Sequence, residues 1–149
     1  MSVCTFIAAD CLLMPRSPSK EYPLEINVDR GTIFDGDADD NFYLSPIHDY
    51  PDCINLKHAV ELEWAYYTEG RAERLIEYIK EALKHTDIVE LWHVWLGTLD
   101  EVEERPMIKT QTAAIDTLTV AQIKEIVSAE IWKKTRGSRP TFWCIRVKK

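Results

Sequence analysis

Apolar and polar side chains alternate over residues 60–67, the pattern of a strand with one buried face. Beyond Thr68, a good N-cap residue, apolar side chains recur at helical spacing and predict a helix over residues 69–85. Residues 88–96 are rich in β-branched and aromatic side chains, which is typical of a strand. The central part of the chain is therefore predicted to form a strand, a helix and a strand.

The same patterns return in the C-terminal third of the chain. Residues 107–113 are predicted to be extended. Thr119, with Gln122 three positions later, forms a capping box that predicts a helix over residues 119–134. Alternation over residues 141–147 then predicts a closing strand.

The element order over residues 59–147 is strand–helix–strand–strand–helix–strand, the ferredoxin-like (split βαβ) order. It predicts an α+β fold of two layers, with a mainly antiparallel sheet and two helices on one face. A strand over residues 3–9 and a hairpin over residues 24–34 are expected upstream, so residues 1–45 would add strands to the sheet edge or cover its open face. Because no repeat or linker interrupts it, the whole chain, residues 1–149, is predicted to be a single α+β domain.

Charge is distributed unevenly along the chain. The formal charge is −7, and residues 133–149 contain seven Lys and Arg side chains and no acid. Residues 1–132 therefore carry a charge of −14, which repels nucleic acid and attracts cations. This charge favours a basic protein or a cationic small molecule as the partner, and it disfavours nucleic acid.

The cysteines and the N-terminal residues indicate the cellular compartment of the protein. The four cysteines show no CxxC motif and no dense disulfide framework. Residues 1–10 lack the basic region of a signal peptide, and no apolar stretch is long enough to span a membrane. We therefore expect a cytoplasmic protein with reduced thiols and no membrane partner.

Acidic and aromatic side chains on the two central strands form a candidate ligand-binding face. They alternate with apolar residues over 60–67 and 88–96, so they point away from the helices if the apolar residues face them. If the two strands are neighbours, these side chains gather on one face. Carboxylates beside aromatic rings suit a cationic, partly apolar ligand, through charge pairing and cation–π attraction. The alternative is an ordinary solvent-exposed sheet face. The candidate residues are Glu61, Glu63, Tyr67, Glu90 and Trp92.

Residues that could support catalysis or hold a metal form no complete motif. Residues 35–41 begin like a calcium loop, but the glycine and the closing glutamate that such loops need are missing, so a solvated acidic turn is expected. His48, Cys53 and His58 match no usual zinc spacing. His93 is expected to be a packed histidine. We therefore predict no catalytic residue, no metal and no cofactor.

Two segments, EYPLEINVDRGTIFDGDADDNFYL and LEWAYYTEGRAERLIEYIK, resemble a family of uncharacterised small bacterial proteins. This resemblance covers most of the chain and implies no activity, ligand or catalytic residue. In element order, the second half is also similar to drug-binding domains of the gyrase-inhibitor type, which use an acidic residue among aromatic rings for cationic ligands. Residues 10–22 contain no helix where the first repeat of such a domain would have one, so this similarity concerns element order alone.

Charge and motifs together favour a binding protein over an enzyme. We expect a non-catalytic interaction protein, an immunity- or antitoxin-like binder of a basic protein. The alternative is a binder of a small, cationic, partly apolar ligand on the acidic–aromatic face. An enzyme built on His93, or on His48, Cys53 and His58, ranks last because no orienting group or oxyanion loop accompanies these residues.

Overall fold

The computed structural model describes residues 2–96, 106–129 and 141–149. Its helices are α1 (Glu69–Ala82) and α2 (Val120–Val127), with a 3₁₀ turn at Ile115–Thr117 before α2. Its strands are β1 (Ser2–Ala9), β2 (Glu25–Asn27), β3 (Thr32–Phe34), β4 (Tyr43–Ile47), β5 (His58–Glu63), β6 (Ile88–Leu96), β7 (Met107–Ala114) and β8 (Thr141–Lys148). The predicted α+β class is confirmed.

Six strands form the main sheet, in the order β4-β5-β1-β6-β8-β7. Neighbouring strands are antiparallel, except that β7 and β8 run parallel and are linked through α2. The mainly antiparallel sheet is thus confirmed, whereas the ferredoxin-like strand order is not.

The N-terminal strand β1 lies in the centre of the sheet, between β5 and β6, and not at the expected edge. Its residues Phe6, Ile7, Ala8 and Ala9 are all buried. A nearly continuous apolar strand buries the side chains of both faces only where both faces of the sheet are covered. The central position of β1 agrees with this apolar composition, and β1 separates the two strands that α1 connects.

Both helices lie on one face of the sheet, as predicted. Leu75 and Ile79 of α1 and Ile123 of α2 are fully buried. They belong to one apolar cluster with Leu91 of β6 and Ile145 of β8. This cluster is the larger part of the core.

The predicted helix starts are confirmed. The Thr68 side chain accepts a hydrogen bond from the first turn of α1, and Thr119 and Gln122 form the expected capping box on α2. Helix α1 ends at Ala82, three residues earlier than predicted. Helix α2 ends at Val127, so residues 128 and 129 are not helical as predicted, and the rest of the predicted helix, residues 130–134, lies outside the described residues. Within the described ranges, neither helix is long and apolar enough to cross a membrane.

The sheet face opposite the helices is covered by the segment 47–57. Ile54 is buried there, and Tyr50 and Leu56 pack on a second apolar cluster that contains Phe6 and Trp92. The Tyr50 hydroxyl donates to the Leu56 carbonyl oxygen at 2.8 Å, so a hydrogen bond within the segment joins its two ends. The face that carries Glu90 and Trp92 is therefore interior.

Strands β2 and β3 form a separate two-stranded sheet, which confirms the predicted hairpin. Its turn ends at Gly31, whose φ of 62° lies in the left-handed region that glycine adopts without strain. The Gly31 amide donates to the Val28 carbonyl oxygen at 3.3 Å. Every residue from 23 to 34 is exposed, so the hairpin contributes nothing to the core.

Candidate functional site

Glu90 and Trp92, two of the predicted binding residues, are neighbours on the covered face. The Trp92 indole Nε1 donates to Glu90 Oε2 at 2.8 Å, and Arg146 Nε lies 3.0 Å from Glu90 Oε1 as an ion pair. Glu90 is 7% exposed and Trp92 is 4% exposed. A buried carboxylate that is already paired with a guanidinium of the same chain is not free to pair with a ligand cation.

Glu61 shares that face of the sheet but does not touch Trp92. Phe6 of β1 pairs with Glu61 on one side and with Trp92 on the other, so a whole strand separates the two residues. Glu61 instead lies beside Cys4. Burial, together with the hydrogen bond to Glu61, raises the pKa of the Cys4 thiol to about 12.

Tyr67 lies on the helix side of the sheet, so its predicted orientation is corrected. Its hydroxyl donates to the Val120 carbonyl oxygen at 3.1 Å, at the start of α2. Strand β5 ends at Glu63, and the alternation that placed Tyr67 with the acidic residues does not continue beyond that point. The five candidate residues therefore do not form one site.

Glu63 lines a surface groove of about 710 Å³. One wall of the groove is the segment 20–24, and the other consists of the start of β4 and the end of β5. Its aromatic side chains are Tyr22, Tyr43 and Trp64, and its charged side chains are Lys20, Glu21, Asp35 and Glu63. We call it the acidic–aromatic groove, because the described residues that line it include three carboxylates and three aromatic rings but one ammonium group.

Hydrogen bonds to Asp40 fix the first wall of the groove. The Tyr22 hydroxyl donates to Asp40 Oδ1 at 2.6 Å, and the Ser19 amide donates to Oδ2 at 2.9 Å. Ser19 and Tyr22 hold the pKa of Asp40 well below its usual range, and the same contact raises the pKa of Tyr22. Asp40 therefore stays charged and ties the segment 19–22 to the acidic loop at residues 35–41.

A buried ion pair anchors the acidic loop to α1. Arg71 Nη2 lies 2.7 Å from Asp35 Oδ1, and both side chains are buried. Arg71 also donates to the carbonyl oxygens of Ala38 and Tyr66, at 3.1 Å and 2.9 Å. Burial raises the pKa of Asp35, but the hydrogen bonds with Arg71, Tyr66 and the Asp37 amide, together with the charge of Arg71, outweigh burial and hold that pKa below its ordinary value. The expected solvated turn is therefore wrong at Asp35.

Sequence reasoning gave Arg71 no role, although Gly70 beside it carried a signal. Glycine is a poor residue for the first turn of an otherwise regular helix. Here a Cβ at Gly70 would collide with the side-chain carboxylate of Asp39, so glycine leaves room for this carboxylate beside α1. An unexplained glycine near a helix start could have indicated such a contact.

Trp64 is held in place by two other rings. Phe42 contacts it edge to face at 6.5 Å between ring centroids, and Tyr67 does so at 6.2 Å. Aromatic pairs in this geometry are favourable beyond the area that they bury. The groove therefore has a fixed aromatic wall, which lowers the entropy cost of binding against it.

The hairpin continues the groove. Leu24 lines the groove and stands at the start of the hairpin. Ile26 lies opposite Ile33, so these two side chains share one side of the hairpin, and Leu24 and Val28 directly precede and follow β2. Ile26 is 62% exposed and Val28 is 86% exposed. We call the acidic–aromatic groove and this apolar face together the hairpin–groove surface.

The histidine and cysteine cluster singled out in the sequence is divided between two places. His48 and His58 line a second, smaller pocket, whereas Cys53 packs against the covered face. Among the described residues, no group of three or more His, Cys, Asp or Glu side chains is placed to hold a metal ion.

In comparisons with known proteins, no family model, no curated protein and no solved structure matches this chain. The function is therefore argued from the hairpin–groove surface itself.

Proposed function

We propose that this protein is a non-catalytic interaction protein that binds a basic protein through the hairpin–groove surface. The observation that carries the proposal is an exposed apolar hairpin continuous with an acidic–aromatic groove. An immunity- or antitoxin-like role is the form of interaction we favour. The four free cysteines support a reducing, cytoplasmic location as part of the same proposal.

The hairpin supports the proposal because it is costly to leave uncovered. A two-stranded sheet alone is only marginally stable in water. All residues of β2 and β3 are exposed, so neither face of this sheet is stabilised by burial. Its exposed apolar side chains include Leu24, Ile26, Val28 and Ile33. Large exposed apolar side chains grouped on one hairpin are typical of a protein-interaction site, and a partner that covered the hairpin would remove them from water.

The charge of the groove selects a basic partner. Among its three carboxylates, Asp35 is neutralised by Arg71, whereas Glu21 and Glu63 are exposed. Lys or Arg side chains of a partner can pair with these two carboxylates and lie against the faces of Tyr43 or Trp64. The charge of −14 over residues 1–132 would also speed the approach of a basic partner.

A small, cationic, partly apolar ligand is the second candidate, and the groove volume favours it. About 710 Å³ lies within the usual range for small-molecule sites. Such a ligand needs the groove alone, whereas a basic protein needs the hairpin as well. Replacing Ile26 and Ile33 by Thr, which preserves strand propensity, therefore separates the two candidates.

The proposal is tested with a fluorescent peptide of alternating lysine and leucine, whose binding is followed by anisotropy. We expect saturable binding that weakens as salt is added. The double variant Glu21→Gln and Glu63→Gln should weaken peptide binding by about tenfold or more, which corresponds to about 1.4 kcal/mol of binding free energy. Ile26→Thr together with Ile33→Thr should also weaken it.

The matched control is Glu77→Gln together with Glu81→Gln. These two exposed carboxylates lie on α1, away from the groove, and their removal makes the same change in net charge. Equal losses in the groove and control variants would contradict a specific surface. Equal binding of a glutamate–leucine peptide would contradict the basic partner.

A further inference from the structure

A second pocket, of about 350 Å³, lies at the opposite end of β4 from the acidic–aromatic groove. Tyr43 at the start of β4 lines the groove, whereas Ile47 at the end of β4 lines this pocket. The residues 12–15, the segment after β4 and the start of β5 supply the other walls. The two cavities share no lining residue.

The walls of this pocket are largely apolar, and the side chains at its rim are exposed to solvent. Leu13 and Ala59 are buried in its walls. Leu12 and Met14 also line it, yet they are 70% and 64% exposed. Large apolar side chains left in water around a cavity gain free energy when a ligand covers them.

The charged side chain that lines this pocket has the opposite sign to the net charge of the protein. Lys57, His48 and His58 line it, and among the described residues that line it there is no Asp or Glu. Asp10 lies beside the pocket, where its Oδ1 accepts the backbone amide of Lys57 at 3.3 Å. The Lys57 ammonium forms no ion pair with a described residue, so it is available to a ligand.

We propose that this pocket binds a small amphipathic anion, namely a carboxylate with an apolar tail. The tail would cover Leu12 and Met14 and fill the apolar part of the cavity, while the carboxylate pairs with the Lys57 ammonium. The volume lies at the lower end of the range for small-molecule sites, so the tail is short. This pocket differs from the acidic–aromatic groove in its position, its lining residues and the charge of its ligand. The inference is therefore independent of the proposed function.

Isothermal titration with decanoate, below its critical micelle concentration, tests the inference. We expect saturable binding of one decanoate per chain. Lys57→Glu and Leu12→Ser should each weaken it by about tenfold. Both residues are exposed, so the variants should unfold at the wild-type temperature, which a thermal scan verifies.

Two controls separate a site from general attraction. Lys84→Glu makes the same charge reversal on an exposed lysine of the α1 end and should leave decanoate binding unchanged. Decyltrimethylammonium has the same tail with a cationic head, and Lys57→Glu should not weaken its binding. The inference is overturned if decanoate does not saturate, if Lys84→Glu weakens it as much as Lys57→Glu, or if Leu12→Ser has no effect.

Discussion

The Arg71 guanidinium and the Asp35 carboxylate lie 2.7 Å apart, with the two side chains 0% and 3% exposed. This ion pair joins the first turn of α1 to the loop that directly follows the hairpin. Asp35 also lines the acidic–aromatic groove, so the pair fixes the base of the hairpin–groove surface.

Breaking this pair should strongly destabilise the protein. Arg71→Met leaves the Asp35 carboxylate buried without its cation, and we expect it to lower the free energy of unfolding by about 3–5 kcal/mol. Urea unfolding followed by tryptophan fluorescence measures the change. Arg74→Met, which removes an exposed partner of Glu77, is the matched control and should cost about 1 kcal/mol or less. Similar losses of unfolding free energy in the two variants would show that the buried pair contributes no more to stability than the exposed one.

Acid should loosen the wall of the groove through Asp40. Its pKa is lower in the folded protein than in the unfolded chain, so its contribution to stability is complete above the unfolded pKa of about 3.9 and is lost as pH falls through the folded value. Asp40→Asn should therefore reduce the loss of stability on acidification below about pH 5. Urea unfolding at a series of pH values tests this. An unchanged slope in the variant would assign the acid sensitivity to other carboxylates.

The four thiols should be unreactive in the folded protein. Burial raises the pKa of every one of them, that of Cys4 to about 12, so the reactive thiolate is scarce near neutral pH. We expect an aromatic disulfide reagent to react slowly with the native chain, and with four thiols per chain once it is unfolded without reductant. A fast native reaction, or fewer than four thiols after unfolding, would contradict this.

The sequence predicted elements with local signals well and long-range pairing poorly. Thr68, Thr119 and Gln122 predict where their helices begin, because a capping hydrogen bond joins residues within three positions of each other. The central position of β1 could not be predicted in this way. Alternation shows which face of a strand is buried, but it does not show which strand lies beside it.

The candidate site shows the same limit. Glu90 and Trp92 share a face, as alternation along one strand requires, but the segment that covers them has no periodicity to indicate where it packs. The groove combines Tyr22, Tyr43 and Trp64 from three separate segments. No spacing rule connects them, so only the fold brings their rings together.

Amide hydrogen exchange, with and without saturating lysine–leucine peptide, tests the hairpin–groove surface most directly. The hairpin amides should exchange readily in the free protein, because residues 23–34 are exposed and β2 and β3 pair only with each other. We predict that the peptide slows exchange in β2 and β3 and leaves the centre of α1 unchanged. A peptide that saturates the protein without slowing exchange in the hairpin would contradict the proposal, as would equal slowing by the glutamate–leucine peptide.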